Sequence, residues 1–194
     1  MGAALATRLH APGVRVTRVH AAAGFERLAA DAFFAVRAGS RADHAQVLAA
    51  LRADGQAPPQ VVLHLWNVTA QAADATQAEA RERGFHSLLA PAQALVEAAK
   101  AAPCHLAVVS NRLHDVAGEG GQDTAKALLL GPVTVIPQEY ARLPCSSLDV
   151  ELAAPRQRLQ RHVELLVADA AAGGHAQLVT YRGGRRWVLG LKPL

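Results

Sequence analysis

The chain has 194 residues, 51% of them hydrophobic and 19% charged, with a formal net charge of +4. That balance excludes an intrinsically disordered chain, and a domain of this length buries roughly 70% of its extended-chain surface. A basic protein raises the question of nucleic acid. Here, however, the basic residues are scattered among acidic ones, the tight clusters being Arg81 with Arg83 and Arg185–Arg186, and only 4% of residues are aromatic. The basic stripe and stacking platforms of a nucleic-acid binder are therefore not expected.

In chain order, Ala3 to His10 reads as a short helical piece that ends near Pro12–Gly13. Val14 to Val19 alternates apolar and polar, the period of a half-buried strand, and Phe33 to Val36 reads as a second short strand. Arg41 to Ala53 places Val47, Leu48 and Leu51 at helical spacing. A turn-rich patch, Asp54 to Gln60, leads into Val61 to Trp66, a β-rich apolar run. Asn67 to Gly84 is more polar and is expected to be loop plus helix. Ser87 to Ala102 carries one apolar face, with Ser87 as the expected N-cap and Pro91 placed close to the first turn. Leu106 to Ser110 is a buried-type strand. A glycine-rich loop, Gly118 to Gly121, precedes a helix over Asp123 to Leu130, and Ser147 to Val150 is a short strand. Pro155 to Ala172 reads as a helix stopped by Gly173–Gly174, and Leu178 to Arg182 with Arg185 to Leu189 as a hairpin about Gly183–Gly184. Strands alternating with helices predict a three-layer α/β domain with a mostly parallel sheet and a C-terminal hairpin.

Cys104 and Cys145 form no C-x-x-C pair and both sit in apolar surroundings, as buried reduced thiols of a cytoplasmic protein do. His105 follows Cys104 directly and would point to the opposite strand face, a poor zinc chelate. Neither a secretory leader nor a span of about 20 apolar residues is recognised, so no membrane is expected.

Four kinds of chemistry can be weighed on the residues themselves. A phosphate cradle wants G-x-G-x-x-G directly after a strand. The nearest approach, Gly118 to Asp123, lacks the third glycine and places Glu119 and Asp123 where a phosphate would lie, so it reads as a surface loop. Carbonyl reduction by a Tyr/Lys pair needs the lysine one helical turn after the tyrosine, to lower the phenol's pKa. Of the two tyrosines, Tyr140 is followed four residues on by Pro144 and Tyr181 by Arg185. The nine histidines, His64 and His105 among them on strands, join no recognisable Ser/His/Asp or Cys/His signature. Glu139 and Asp149 could act as a carboxylate pair; alternatively Glu139 caps or salt-bridges a helix end and Asp149 closes a strand. No catalytic, cofactor-binding or metal-ligating residue is assigned.

Four stretches taken together resemble one family. Val62 to Thr69 (VLHLWNVT), Gly84 to Ala94 (GFHSLLAPAQA), Gly131 to Tyr140 (GPVTVIPQEY) with Cys145 to Val150 (CSSLDV), and Thr180 to Trp187 (TYRGGRRW) resemble, in order and spacing, the ketoreductase region of modular type I polyketide synthases. Ala90–Pro91, Ala141 and Trp187 depart from that family's usual residues. In the family each half of this region has a short-chain-dehydrogenase fold, and the first half is a truncated Rossmann-like, non-catalytic copy. The resemblance implies that residues 1–194 are that single structural subdomain, a fragment lacking its first strand and the catalytic subdomain that follows. No cofactor is then expected in this chain; NADPH is expected in the adjoining catalytic subdomain, and that subdomain and neighbouring synthase domains are the expected partners. Two other readings stay open: a pseudo-ketoreductase spacer in a non-reducing module, and a divergent stand-alone reductase.

Overall fold

A computed structural model describes residues 6–7, 9, 13–29, 33–69, 76–98, 102–116, 118–152, 164–169 and 178–190. The expected helix over Pro155 to Ala172 lies largely outside these residues, as do Gly173–Gly174; its described stretch, 164–169, is helical.

The main sheet has five strands: β4 (Val61–Asn67), β5 (His105–Ser110), β6 (Cys145–Val150), β7 (Leu178–Arg182) and β8 (Arg185–Val188), in that spatial order. β4 to β7 run parallel, and β8 returns antiparallel to β7. The sharp return is possible because Gly183 and Gly184 adopt φ of +55° and +76°, which favours glycine at both turn positions. A second, smaller sheet holds β1 (Arg18–Ala21), β2 (Glu26–Ala29) and β3 (Phe33–Val36), with β3 in the middle. The sequence pattern does not disclose β2, and the strand expected over Val14 to Val19 starts later, at Arg18. Only four residues long and mostly exposed, β1 lacks the apolar alternation that marks a buried strand.

Alternation along β5 sends its side chains to two cores. Leu106 and Val108 face one side, where they meet Leu88, Ala92 and Leu95 of α3 (Ser87–Ala98) and Val133 and Ile136 of α4 (Leu130–Glu139). Ala107 and Val109 face the other, against Leu148, Val179, Tyr181 and Leu166 of the 164–169 stretch. Helices thus cover both faces of a mostly parallel sheet, the arrangement expected from the sequence. α1 (Arg41–Ala53) is capped by Ser40, whose Oγ accepts from the Asp43 amide, and its Val47 and Leu51 pack on Phe34 and Val36 of β3.

Two helical expectations need correction. Ser87 is not an N-cap. The helix starts earlier, at α2 (Gln77–Arg81), where Thr76 and Glu79 form a capping box, and passes through a π-helical turn, Glu82–His86, into α3. Pro91 therefore lies deep inside a continuous helical run rather than near its first turn. The helix expected over Asp123 to Leu130 is a 3-10 segment, Thr124–Leu129, that continues as α4 to Glu139. Gly131, Pro132 and Pro137 hide that continuation from a propensity reading, and burial of Leu129, Val133 and Ile136 holds it.

Candidate functional site at the carboxyl ends of the strands

In open α/β sheets, ligands bind beyond the carboxyl ends of the parallel strands. Here that edge is built from the residues just after β4 and β5, the end of β6, and Arg182 of β7.

Asp149, next to last in β6, is fully buried, and its neighbours in register are Ser110 of β5 and Thr180 of β7. The turn leaving β5 bends back through Arg112, whose φ of +57° is the positive value found at a non-glycine among the described residues. A left-handed residue turns the next amides the same way and makes a concavity suited to an anion. The anion in it is the Asp149 carboxylate, which accepts from Leu113 N at 3.1 Å and 3.2 Å and from His114 N at 3.0 Å. Ser110 Oγ donates to Oδ1 at 3.2 Å, and Arg182 Nη2 donates to Oδ2 at 2.7 Å. Arg182 also donates to the His114 carbonyl at 2.9 Å and lies 3.4 Å from Glu119.

Beside this hub, Lys126 projects from the 3-10 segment into the same edge and is 4% exposed. Its ammonium donates to Thr69 Oγ1 at 3.0 Å, the Asn111 carbonyl at 2.8 Å and Asn111 Oδ1 at 2.7 Å. Asn111 in turn accepts from Thr69 N at 2.9 Å and donates through Nδ2 to Thr69 O at 2.8 Å, which settles which end of its amide is oxygen. The loops after β4 and β5 are thereby laced together, with the ammonium as the knot. Burial lowers the Lys126 pKa to about 8, against the opposing pull of Asp123 at 3.9 Å.

The glycine-rich loop is held by its own carboxylates. Asp115 Oδ1 accepts from Gly118 N at 2.7 Å and Glu119 N at 3.1 Å, and Glu119 Oε2 accepts from Val116 N at 3.1 Å. The Val116, Gly118 and Glu119 amides of the loop thus turn to this chain's own carboxylates.

The other candidates disperse. Glu139 is the exposed last residue of α4, ahead of β6, whereas Asp149 is buried at the far end of that strand; they form no carboxylate pair. Tyr140 is exposed at the end of α4. Tyr181 is buried, and burial together with its hydrogen bond to Asp169 raises its phenol pKa, the wrong direction for a proton donor in reduction. His105 Nε2 lies 2.9 Å from Ser146 Oγ on the sheet face opposite Leu106. Cys104 and Cys145 are free, buried in one core cluster, with pKa values pushed by burial to about 11 and about 12. Among the described residues no group of three or more His, Cys, Asp or Glu is placed to hold a metal, and no helix is long and apolar enough to cross a membrane.

Sequence reasoning missed Lys126 and Arg182. A lysine in TAKALLL reads as the solvated face of a helix, and Arg182 as a hairpin residue. The available signal was the odd pairing of each with a buried run.

This sheet order, with helices on both faces and a C-terminal hairpin, is a truncated Rossmann-like fold of the short-chain dehydrogenase type. Among solved structures that share it is a keto acid-selecting nonribosomal peptide synthetase module with adenylation, ketoreductase and pseudo-Asub domains, at a TM-score of 0.85 and 22% identity over 98% of this chain. An N-terminal ketoreductase from the macrolactin assembly line follows at 0.67 and 9% over 99%, and a Burkholderia cenocepacia short-chain dehydrogenase solved with NADP at 0.65 and 17% over 94%. The chain spans 16%, 38% and 83% of those three proteins. No protein-family model and no curated protein matches it.

Proposed function

We propose that this chain is the non-catalytic structural half of a ketoreductase region in a modular polyketide synthase or kindred assembly line, and that it packs against an NADPH-dependent half that reduces β-ketoacyl thioesters. One observation carries the reading: the anion-binding concavity at the strand ends is filled by Asp149 and sealed by Arg182, and the neighbouring polar sites are consumed by Lys126. A reductase needs those positions open to cofactor and substrate. The sequence resemblance and the fold shared with assembly-line ketoreductases support the same assignment. The work left for such a domain is to hold a neighbour in shape.

Calorimetric titration of the purified chain with NADPH tests this. The expected result is no saturable binding and no turnover of a β-ketoacyl thioester; co-expression with a ketoreductase catalytic half should then raise that half's thermal stability. A micromolar NADPH affinity, or turnover by the chain alone, overturns the proposal in favour of a stand-alone reductase, a reading that the 83% coverage of the NADP-bound dehydrogenase makes worth testing.

A further inference from the structure

Proline inside a helix removes one backbone donor, so the carbonyl four residues earlier loses its partner. Pro91 of α3 does this to the carbonyl of Ser87, in a part of the helix where both residues are buried. Water does not reach that carbonyl. The donor comes from the sheet: His64 Nε2, on β4 beneath the helix, lies 3.2 Å from Ser87 O and 3.1 Å from Ser87 Oγ. The Ser87 hydroxyl itself donates to the Arg83 carbonyl in the π-helical turn, so its oxygen is left to accept. Both neighbours of Nε2 are acceptors, which places the proton on Nε2. The opposite ring nitrogen, Nδ1, is buried with no hydrogen-bond partner. A neutral ring leaves only an unused lone pair there, whereas a protonated ring would bury an unmet N–H.

We propose that His64 is an acid-released latch: through Nε2–H it supplies the helix donor that Pro91 lacks and ties β4 to the junction of the π-helical turn and α3, and because a second proton would sit on the buried, unpartnered Nδ1, protonation drives the ring out of its site and so opens the tie.

The surroundings agree. Burial, the largest influence, lowers the His64 pKa to about 4, opposed by its bond to Ser87 and reinforced by His44. His44 comes from α1, is itself lowered by burial, and its Nε2 donates to the Ala38 carbonyl at 3.1 Å. Trp66 lies beside both imidazoles, its ring centroid 5.3 Å from His64 and 6.0 Å from His44. Asp43, in the first turn of α1, is held ionised by Arg37 and favours charge on His44. From the helix side, Arg83 contributes its backbone carbonyl, which accepts from the Ser87 hydroxyl. Linkage fixes the sign. The folded-state pKa is below the unfolded value of 6.5, so the stabilisation is complete above pH 6.5 and is lost as pH falls toward 4.

The experiment is a double-mutant cycle read by thermal unfolding at pH 7, with nitrogen-15 spectra of the His64 ring. Pro91→Ala returns an amide to the helix. His64→Ala should lower the melting midpoint by about 4 °C with Pro91 present and by clearly less in the Pro91→Ala background. Should His64→Ala alone fail to fold, rescue by Pro91→Ala supports the latch equally, and failure in both backgrounds overturns it. An equal loss in both backgrounds also overturns it. The ring spectra should show the Nε2–H tautomer and a midpoint below pH 5; a proton on Nδ1, or titration near 6.5, sinks the proposal.

Discussion

Arg182 Nη2 lies 2.7 Å from Oδ2 of the fully buried Asp149, and the same guanidinium holds the His114 carbonyl at 2.9 Å. One arginine from the hairpin strand thus clamps both the carboxylate and the turn wrapped around it. Removing one member of a buried pair leaves the other charge uncompensated, which costs about 3–5 kcal/mol. Asp149→Ala, which also strands the Leu113 and His114 amides, and Arg182→Ala are each expected to destabilise the fold by that amount. Because the two act as one unit, the double variant should lose clearly less than the sum, as measured by urea unfolding.

Lys126 gives the fold an alkaline signature. Its folded-state pKa of about 8 lies below the unfolded value of 10.5, so between those values the unfolded chain holds more protons. Its contribution therefore makes stability rise with pH from about 8 to 10.5. Lys126→Met should remove that rise, seen as the difference between the stability profiles of the two proteins, and should cost about 1–3 kcal/mol near neutrality by leaving Asn111 and Thr69 without their shared donor. Parallel profiles would contradict the placement of the ammonium.

The two thiols pull the other way. Cys104 and Cys145 are raised by burial to about 11 and about 12 from 9.0, so the unfolded chain releases their protons first and stability falls as pH rises through that window. At pH 8 both should be inert to a thiol reagent until the chain is unfolded, when both should label quickly. Labelling of either in the native protein at the rate of a free thiol would refute their burial.

The two faces of the sheet form separate cores. Leu106 packs beneath α3 and α4, and Leu148 packs on the opposite side against Leu166. Each Leu→Ala change is expected to cost about 2–5 kcal/mol. With no shared cluster, the two losses should add to within about 0.5 kcal/mol in a variant series on a stabilised background.

How much of this was legible beforehand varies with the physics involved. The strands around Val61, Leu106 and Ser147 and the Gly183–Gly184 hairpin were readable because a buried parallel strand is a short apolar run and a tight turn needs positive φ. α4 was not, because Gly131, Pro132 and Pro137 argue against a helix that tertiary burial nevertheless holds. The start of the helix before α3 was misplaced at Ser87, since a serine ahead of an apolar run looks like a cap whether or not another turn precedes it.

By itself the sequence determined the α/β class, the parallel sheet, the reduced buried thiols and the absence of a third glycine in the Gly118 loop. These follow from local periodicity and from backbone conformations that particular residues demand. Only the tertiary structure decided that Asp149 meets Arg182, that Lys126 ties Thr69 to Asn111, and that His64 answers the gap left by Pro91. Those partners stand 33, 57, 15 and 23 residues apart for Asp149–Arg182, Lys126–Thr69, Lys126–Asn111 and His64–Ser87. A buried polar group must find its partner wherever the fold brings one, and no local pattern records which it will be.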